Sequence, residues 1–169
     1  GPKMDLMITD SLGKEWQLST IQVDFNLPAR FELSYIDENG QDARPVMLHR
    51  ATFGSYERFL AMIIEHFQGA FPLWLSPVQA VILPIADRHS GIANEIKDTL
   101  LEAGIRVEAD SRSETLQSKI RQVSLQKVPY MGIIGDKEIE TKSLSIRTRD
   151  GKDLGQLEIS KFLNLIKEA

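Results

Sequence analysis

The string PVMLHRATFGSYERF, residues 45–59, predicts a strand that stops at a glycine and is followed at once by a helix. Strand side chains alternate between two faces, and His49 falls on the inward one. Gly54 breaks the strand, and Arg58 then lies in the first turns of the helix. A guanidinium held there could grip a phosphate through two parallel hydrogen bonds, which a lysine could not do. The plainer alternative is a solvated Glu57–Arg58 pair beside a core imidazole.

Residues 1–70 predict part of an antiparallel sheet. Four segments alternate in polarity as strands do: residues 4–8, 16–25, 31–35 and 45–53. A turn at residues 12–14 and an Asn39-Gly40 turn, whose residues both tolerate positive φ, pair these segments into two hairpins. The helix over residues 55–68 begins at the N-cap Ser55 and ends before a glycine. Four strands and one helix cannot cover both faces of a sheet, so we expect a partial α+β domain.

A second domain is predicted over residues 79–169, after a linker of residues 71–78 that contains two prolines. Its segments alternate between strand and helix patterns, which requires parallel strands with right-handed crossovers. We therefore expect a small α/β domain with a mixed sheet of about five strands. The predicted strands cover residues 80–87, 105–110, 130–136 and 143–151, and the predicted helices cover residues 90–104, 116–128 and 159–169.

The composition is that of an ordinary globular protein: 169 residues, 42% apolar and 26% charged. The absence of cysteine excludes a disulfide scaffold and any cysteine-containing zinc cluster. There is no apolar run of membrane-spanning length and no leader pattern, so we expect a cytoplasmic protein with no membrane partner. The net charge of −4 argues against binding of nucleic acid by bulk charge. Residues 119–152, with eight basic and four acidic side chains, fit either a local basic surface or a solvated mixed-charge face.

Several strings resemble one family, the class II threonyl-tRNA synthetases. HRATFGSYERF (residues 49–59) resembles their third signature motif, and WQLSTIQVDF (residues 16–25) resembles a strand of their adenylate pocket. The second half is similar to the anticodon-binding domain of class IIa synthetases, through AGIRVEAD, KIR, KVPYMGIIGDKE and IRTRDGKDLG. The resemblance implies the C-terminal portion of a threonine–tRNA ligase, in which ATP with magnesium activates threonine for transfer to tRNA(Thr).

The resemblance also implies site residues in the first half. Arg58 would be the catalytic ATP contact, Gln17 and Thr20 would line the ATP and adenylate side, and Gln22 would lie near the amino acid. His49 would be one of three zinc ligands, and the other two are not found in this sequence, so zinc is expected in the full-length parent only. The first two class II motifs, including the dimer-forming one of this homodimeric family, are not found either. We therefore expect this chain alone to be inactive.

In the second half the resemblance implies four anticodon contacts: Ser113, Lys127, Glu138 and Arg147. Single-stranded bases are recognised through stacking and through hydrogen bonds to their edges, for which these residue types are suited. The sequence departs from the family where Ser113, Thr115 and Gln117 replace its Asn, Lys and Gly, and where Leu18 and Ser19 replace its Cys and Gly.

Three hypotheses stay open at this point. The chain could be a fragment of the ligase, or a free-standing non-catalytic tRNA-binding module, which the sequence departures favour. It could also be an α/β domain with no role in RNA binding.

Overall fold

The computed structural model describes residues 1–168, which form two compact units that divide after residue 68. The first unit contains β1 (Lys3–Thr9), β2 (Glu15–Asp24), α1 (Asn26–Arg30), β3 (Tyr35–Ile36), β4 (Asp42–Ala43), β5 (Met47–Ala51) and α2 (Tyr56–Phe67). An antiparallel sheet has the order β1-β2-β5, and β3 pairs separately with β4. The predicted partial antiparallel sheet is therefore confirmed.

The hairpin of β1 and β2 has one irregularity, a bulge in β2. Ser19 lies opposite Leu6 and Gln17 lies opposite Met7, which leaves Leu18 as the extra residue between two partners. The turn is held by Asp10, whose carboxylate accepts the backbone N–H groups of residues 12 and 14. The bulge matters because it resets which side chains of β2 share a face.

The predicted strand over residues 31–35, with its pairing to residues 45–53, is wrong. Asp24 accepts the N–H groups of Asn26 and Leu27 at the start of the short helix α1, and residues 31–34 after this helix form a turn and irregular chain. Pro28 is tolerated in this helix because the N–H groups of a first turn have no helical partner. The strand β5 pairs with β2, and the Asn39-Gly40 turn closes only the small β3–β4 hairpin.

Helix α2 begins and ends where the sequence predicts. The Ser55 hydroxyl accepts the Arg58 N–H at 3.3 Å, and the helix closes with Gln68 and Gly69 in the left-handed region, at φ of 51° and 76°. Phe59 stacks on Phe53 with the ring centroids 4.3 Å apart. None of the residues of α2 is fully buried, so its apolar side is only half covered within this unit.

The second unit contains a five-stranded mixed sheet, as predicted. Its elements are β6 (Ala80–Pro84), α3 (Ser90–Glu102), β7 (Val107–Ala109), α4 (Leu116–Leu125), β8 (Tyr130–Ile134), α5 (Asp136–Glu140), β9 (Ser143–Thr148), β10 (Asp153–Glu158) and α6 (Ile159–Glu168). The order is β10-β9-β8-β6-β7, in which β6, β7 and β8 are parallel and β9 is antiparallel to both of its neighbours, β8 and β10.

Both faces of this sheet are packed. One face contributes Ile82, Leu144 and Ile146 to a core completed by buried side chains of α3 and α6, such as Leu100 and Phe162. The other contributes a smaller core whose buried residues are Val81, Leu83, Val123, Val128, Met131 and Ile133. No helix within residues 1–168 is long and apolar enough to cross a bilayer.

Residues 71–78, the predicted linker, are part of the second unit and are held within it by two arginines. Arg106 donates to the carbonyls of Leu73, Trp74 and Ser76, and Arg149 donates to the carbonyl of Phe71 at 2.6 Å. Residues 73–75 form a single 3-10 turn. This segment is thus held by side chains of the second unit along most of its length.

Candidate functional sites

The first candidate site is a polar face of the sheet β1-β2-β5. Met7 and Asp5 are two residues apart on β1 and share a face, and their partners on β2 are Gln17 and Thr20. The Gln17 amide donates to the Asp5 carboxylate at 2.8 Å, as this shared face requires. Gln22 lies two residues beyond Thr20. The structure therefore brings together the three β2 residues that the resemblance predicts.

The Thr20 hydroxyl is the buried polar group of this face. Its Oγ1 atom is the one buried side-chain N or O atom within residues 1–168 that has no well-formed hydrogen bond. The hydroxyl faces the Asp5 carboxylate and is the main cause of the lowered pKa of Asp5. The Lys3 ammonium, whose Nζ lies 3.0 Å from Asp5 Oδ2, lowers this pKa further. A hydroxyl that donates toward one carboxylate keeps two lone pairs, so Thr20 can also accept a hydrogen bond from a ligand.

Arg58 reaches β2 from α2. Its Nη1 donates to the Gln17 carbonyl at 2.7 Å, and its guanidinium carbon lies 5.9 Å from the centre of the Trp16 ring. Gly54, at φ 70°, lets the loop before α2 lie close to β2, because a Cβ there would lie 3.1 Å from the Leu18 carbonyl oxygen. One of the five guanidinium N–H donors is thereby used, and the others can meet an anion.

His49 lies beside this polar face but does not form a metal site with the residues present. It is paired with Gln22 across the sheet, and its Nε2 lies 2.9 Å from Asp24 Oδ2. His49 and the N–H groups of residues 27 and 26 lower the pKa of Asp24. No group of three His, Asp or Glu side chains within residues 1–168 could hold a metal ion. The zinc that the resemblance implies therefore does not fit this chain by itself.

The departures Leu18 and Ser19 point away from the polar face. Leu18 is buried, at 6% exposure, and lines a small cleft with Phe59, Met62 and Ile63 of α2. Ser19 is paired with Leu6, on the face opposite Asp5, and its hydroxyl donates to the Thr52 carbonyl. Their extra bulk is therefore absorbed against α2 and the strand edge.

The second candidate site lies on the second unit, where the four predicted anticodon residues fall in different surroundings. Ser113 is exposed in the loop before α4, at the rim of a cleft of about 540 Å³ that also includes Thr115 and Ser118. Lys127 is exposed just after α4, with φ 58°. Thr115 caps α4 by accepting the Ser118 N–H at 3.3 Å, so this departure from the family supplies a helix cap.

Glu138 is buried, at 8% exposure, and its carboxylate is occupied by the protein. Ser145 Oγ and Gln156 Nε2 donate to Oε1 at 2.9 and 3.0 Å, and the Gly135 N–H donates to Oε2 at 3.0 Å. Burial alone would raise the pKa of Glu138, but the bonds from Gln156, Ser145 and the backbone outweigh burial and lower the pKa. This carboxylate is therefore ionised and already supplied with donors.

Arg147 stands on β9, two residues beyond Ser145 and on the same face of the sheet. Its side chain is 41% exposed and lies 3.7 Å from the Asp153 carboxylate. Glu138 and Arg147 are therefore connected through β9, because Ser145 of this strand donates to Glu138 and lies two residues from Arg147. Ser113 and Lys127 lie before and after α4, outside the strands β9 and β10.

Comparison with known proteins identifies both halves. Residues 79–169 match the family model of the anticodon binding domain, and residues 1–67 match that of the class II tRNA synthetase core domain (G, H, P, S and T). Over 163 residues the chain is 52% identical to a threonine–tRNA ligase of Thermus thermophilus, covering 96% of this chain and 25% of the relative. Over 169 residues it is 52% identical to that of Acetivibrio thermocellus, covering 100% of this chain and 27% of the relative.

A solved structure agrees. The RNA binding domain of threonyl-tRNA synthetase from Cryptosporidium parvum matches with a TM-score of 0.90 and 38% identity, over 99% of this chain and 43% of that one. The chain belongs to the threonyl-tRNA synthetase family. It spans about a quarter of the length of the curated synthetases that it matches.

Three features of this synthetase segment escaped the sequence analysis. Lys119 is 3% exposed and donates to the carbonyls of Pro84 and Asp110, at the ends of β6 and β7. Asp136 accepts from Arg88 and from the buried His89, which ties α5 to the end of β6. The strand β10 was also missed, with its residue Gln156.

The signal for β10 is hidden by a bulge. Leu154 and Leu157 both pack on the main core although they are three residues apart, because the register of β10 shifts between Asp153 and Gly155. Strict alternation therefore fails in this strand. In the sequence, the cue to this strand is the spacing of three between Leu154 and Leu157, with Gly155 between them.

Proposed function

We propose that the chain is part of a threonine–tRNA ligase in which residues 79–169 bind the anticodon of tRNA(Thr). The observation that carries this proposal is the match of those residues to the anticodon binding domain family, in a unit that has its own complete core. On its surface, Arg147 and Gln156 share an accessible strand face, and Ser113 and Lys127 are exposed. These are groups that can stack on bases and hydrogen-bond to their edges.

For the first unit we propose a share of the ATP and threonine site of the full-length parent. The remaining N–H donors of Arg58 would contact the phosphates of ATP, which would arrive with magnesium, and would stabilise charge that develops on them. Gln17 and the hydroxyl of Thr20 would bind the adenylate side, and Gln22 would lie near the amino acid. The position of these groups on one strand, with Arg58 anchored to that strand, supports this assignment.

The parent would form threonyl adenylate from ATP and threonine and then transfer threonine to the tRNA, as a homodimer. This chain would contribute side chains to that reaction but would not complete it, because the other class II motifs are not in its sequence. We therefore expect tRNA binding without adenylate formation from the isolated chain.

Binding of the chain to transcripts of tRNA(Thr) tests the anticodon proposal. The transcripts carry the intact anticodon or one replaced anticodon base, and each is measured at a low and at a physiological salt concentration. Base recognition predicts a preference for the intact anticodon that persists at the higher salt concentration, because counterion release affects all transcripts equally. Binding that ignores the anticodon and vanishes with salt would contradict the proposal.

A further inference from the structure

The starting observation is the set of contacts made by the Asp5 carboxylate on β1. The Gln17 amide nitrogen donates to its Oδ1 at 2.8 Å, and the Lys3 ammonium lies 3.0 Å from its Oδ2. The Thr20 hydroxyl faces the same carboxylate. Gln17 and Thr20 are assigned above to the adenylate side, whereas Asp5 has no role in that assignment.

The pairing of β1 with β2 explains why these groups meet. Asp5 lies directly opposite Thr20 on the neighbouring strand. The bulge at Leu18 brings Gln17 to the same face, although Gln17 and Thr20 are three residues apart and strand side chains alternate with a period of two. Asp5 therefore connects two residues that lie on either side of the bulge.

The chemistry of a carboxylate decides how its neighbours are oriented, because an ionised carboxylate can only accept hydrogen bonds. Gln17 turns its amide nitrogen toward Asp5, so its carbonyl oxygen and second amide hydrogen are left for a ligand. Thr20 has one hydroxyl hydrogen, and when this hydrogen is directed at Asp5 its lone pairs are left to accept. Asp5 thus determines which atoms of both residues can meet a ligand.

The same contacts keep Asp5 ionised. The Thr20 hydroxyl and then Lys3 lower the pKa of Asp5 more than burial raises it. Lys3 precedes Asp5 by two residues and lies on the same strand face, so this ion pair is local to β1. A neutral amide at residue 5 would not impose the same orientation, because it could donate as well as accept.

We propose that Asp5 is a positioning residue of the adenylate site, which acts by orienting the Gln17 amide and the Thr20 hydroxyl toward the bound ligand. This inference rests on the proposed share of the ATP and threonine site and adds to it a residue that acts through others. Groups that are oriented before binding do not have to be arranged during the reaction, which lowers its barrier. Loss of the carboxylate should therefore slow adenylate formation more than it weakens the fold.

The test measures threonine-dependent exchange of pyrophosphate into ATP by the full-length parent, a reaction that reports adenylate formation. Asp5→Asn keeps the shape of the side chain and removes its charge, whereas Asp5→Glu keeps the charge and changes the shape. Asp42→Asn is the matched control, because Asp42 is exposed on β4, in a separate two-stranded sheet. Melting temperature and binding to tRNA(Thr) transcripts are measured for each variant.

We expect Asp5→Asn to lower the kcat of exchange about 10- to 100-fold, because Gln17 and Thr20 can then turn away from the ligand. Asp5→Glu should recover most of the activity, although asparagine is the closer match in shape. A purely structural role would give the opposite order. Melting temperature and tRNA binding should not follow the loss of activity, and Asp42→Asn should behave as the unmodified parent.

A second comparison tests whether Asp5 acts through its two partners. In a parent that carries Gln17→Ala and Thr20→Val, both groups that Asp5 orients are gone. Asp5→Asn should then lower kcat by less than about twofold, because the effects of residues that act together are not additive. Effects that multiply as independent ones do would show that Asp5 acts in another way.

Other results would also overturn the inference. Asp5→Asn could be as active as the control, or Asp5→Glu could be as impaired as Asp5→Asn, and either result would remove the role of the carboxylate. A fall in melting temperature that accounts for the loss in both variants would show a structural role. If the unmodified parent shows no exchange, or Gln17→Ala alone leaves it unchanged, the proposed function of the first unit fails, and this inference fails with it.

Discussion

The two units differ most in what they bury. Almost all fully buried apolar side chains belong to the second unit, whereas Leu18 and Pro28 are the buried apolar residues within residues 1–68. Of the large apolar side chains that are strongly exposed, seventeen lie in the first unit and four in the second. Each fully buried side chain of this kind contributes about 1.5–3 kcal/mol. The second unit therefore has a complete core of its own, while the first has a sheet and a helix whose apolar sides are only partly covered within the unit.

The largest expected effect compares one phenylalanine from each unit. Phe162→Ala removes a fully buried ring of α6 that packs edge-on against Tyr130, with centroids 5.8 Å apart, and should cost about 3–5 kcal/mol. Phe59→Ala removes a half-buried ring and should cost about 1–2 kcal/mol, because less surface is re-exposed. Urea denaturation measures both values.

Hydrogen exchange of the unmodified chain provides an independent check on the difference in stability between the two units. The strands β6 and β8 should exchange slowly, by global unfolding, and β1 and β5 should exchange much faster, by local opening. Equal protection in both units, or equal costs of the two substitutions, would show that the first unit is stabilised by something other than its own core.

We expect an intermediate effect on stability from substituting two lysines, one buried in the second unit and one exposed in the first. Lys119→Met leaves the carbonyls of Pro84 and Asp110 without their donor and should destabilise the chain by about 1–3 kcal/mol. Lys14, in the first unit, lies over the Trp16 ring at 4.0 Å and is exposed, so Lys14→Met should cost less than about 1 kcal/mol. Thermal denaturation distinguishes these outcomes, and a neutral Lys119→Met would mean that water replaces the ammonium.

The smallest expected effect is the acid sensitivity contributed by Asp136. Arg88 and then His89 hold the pKa of Asp136 at about 2, below its usual value of 3.8. A carboxyl with a lowered pKa in the folded state stabilises the fold at pH above about 4, and this contribution is lost as the pH falls from 4 to 2.

Melting temperatures of the unmodified chain and of Asp136→Asn between pH 6 and pH 2 test this effect. The unmodified chain should be more stable at pH 6, and the two curves should converge near pH 2. Asp98→Asn, an exposed substitution on α3, serves as the control. A constant gap between the unmodified chain and Asp136→Asn across this range would contradict the lowered pKa.

Much of the fold could be predicted from local patterns. Polarity alternation located the hairpin of β1 and β2, and the Ser55 cap with the following apolar stripe located α2. Alternating strand and helix segments predicted the mixed sheet. The errors fall where pairing between distant segments decides the structure, as when β5 pairs with β2 and not with the predicted strand over residues 31–35.

For the candidate sites, the sequence determined the residue types and their family, because motif strings such as HRATFGSYERF fix chemistry and order along the chain. Only the tertiary structure decided which groups face one another. The bulge at Leu18 turns Gln17 to the face of Thr20, and the bulge in β10 puts Gln156 above Glu138. An inserted residue reverses a face because strand side chains alternate with a period of two, and its position depends on pairing between distant segments.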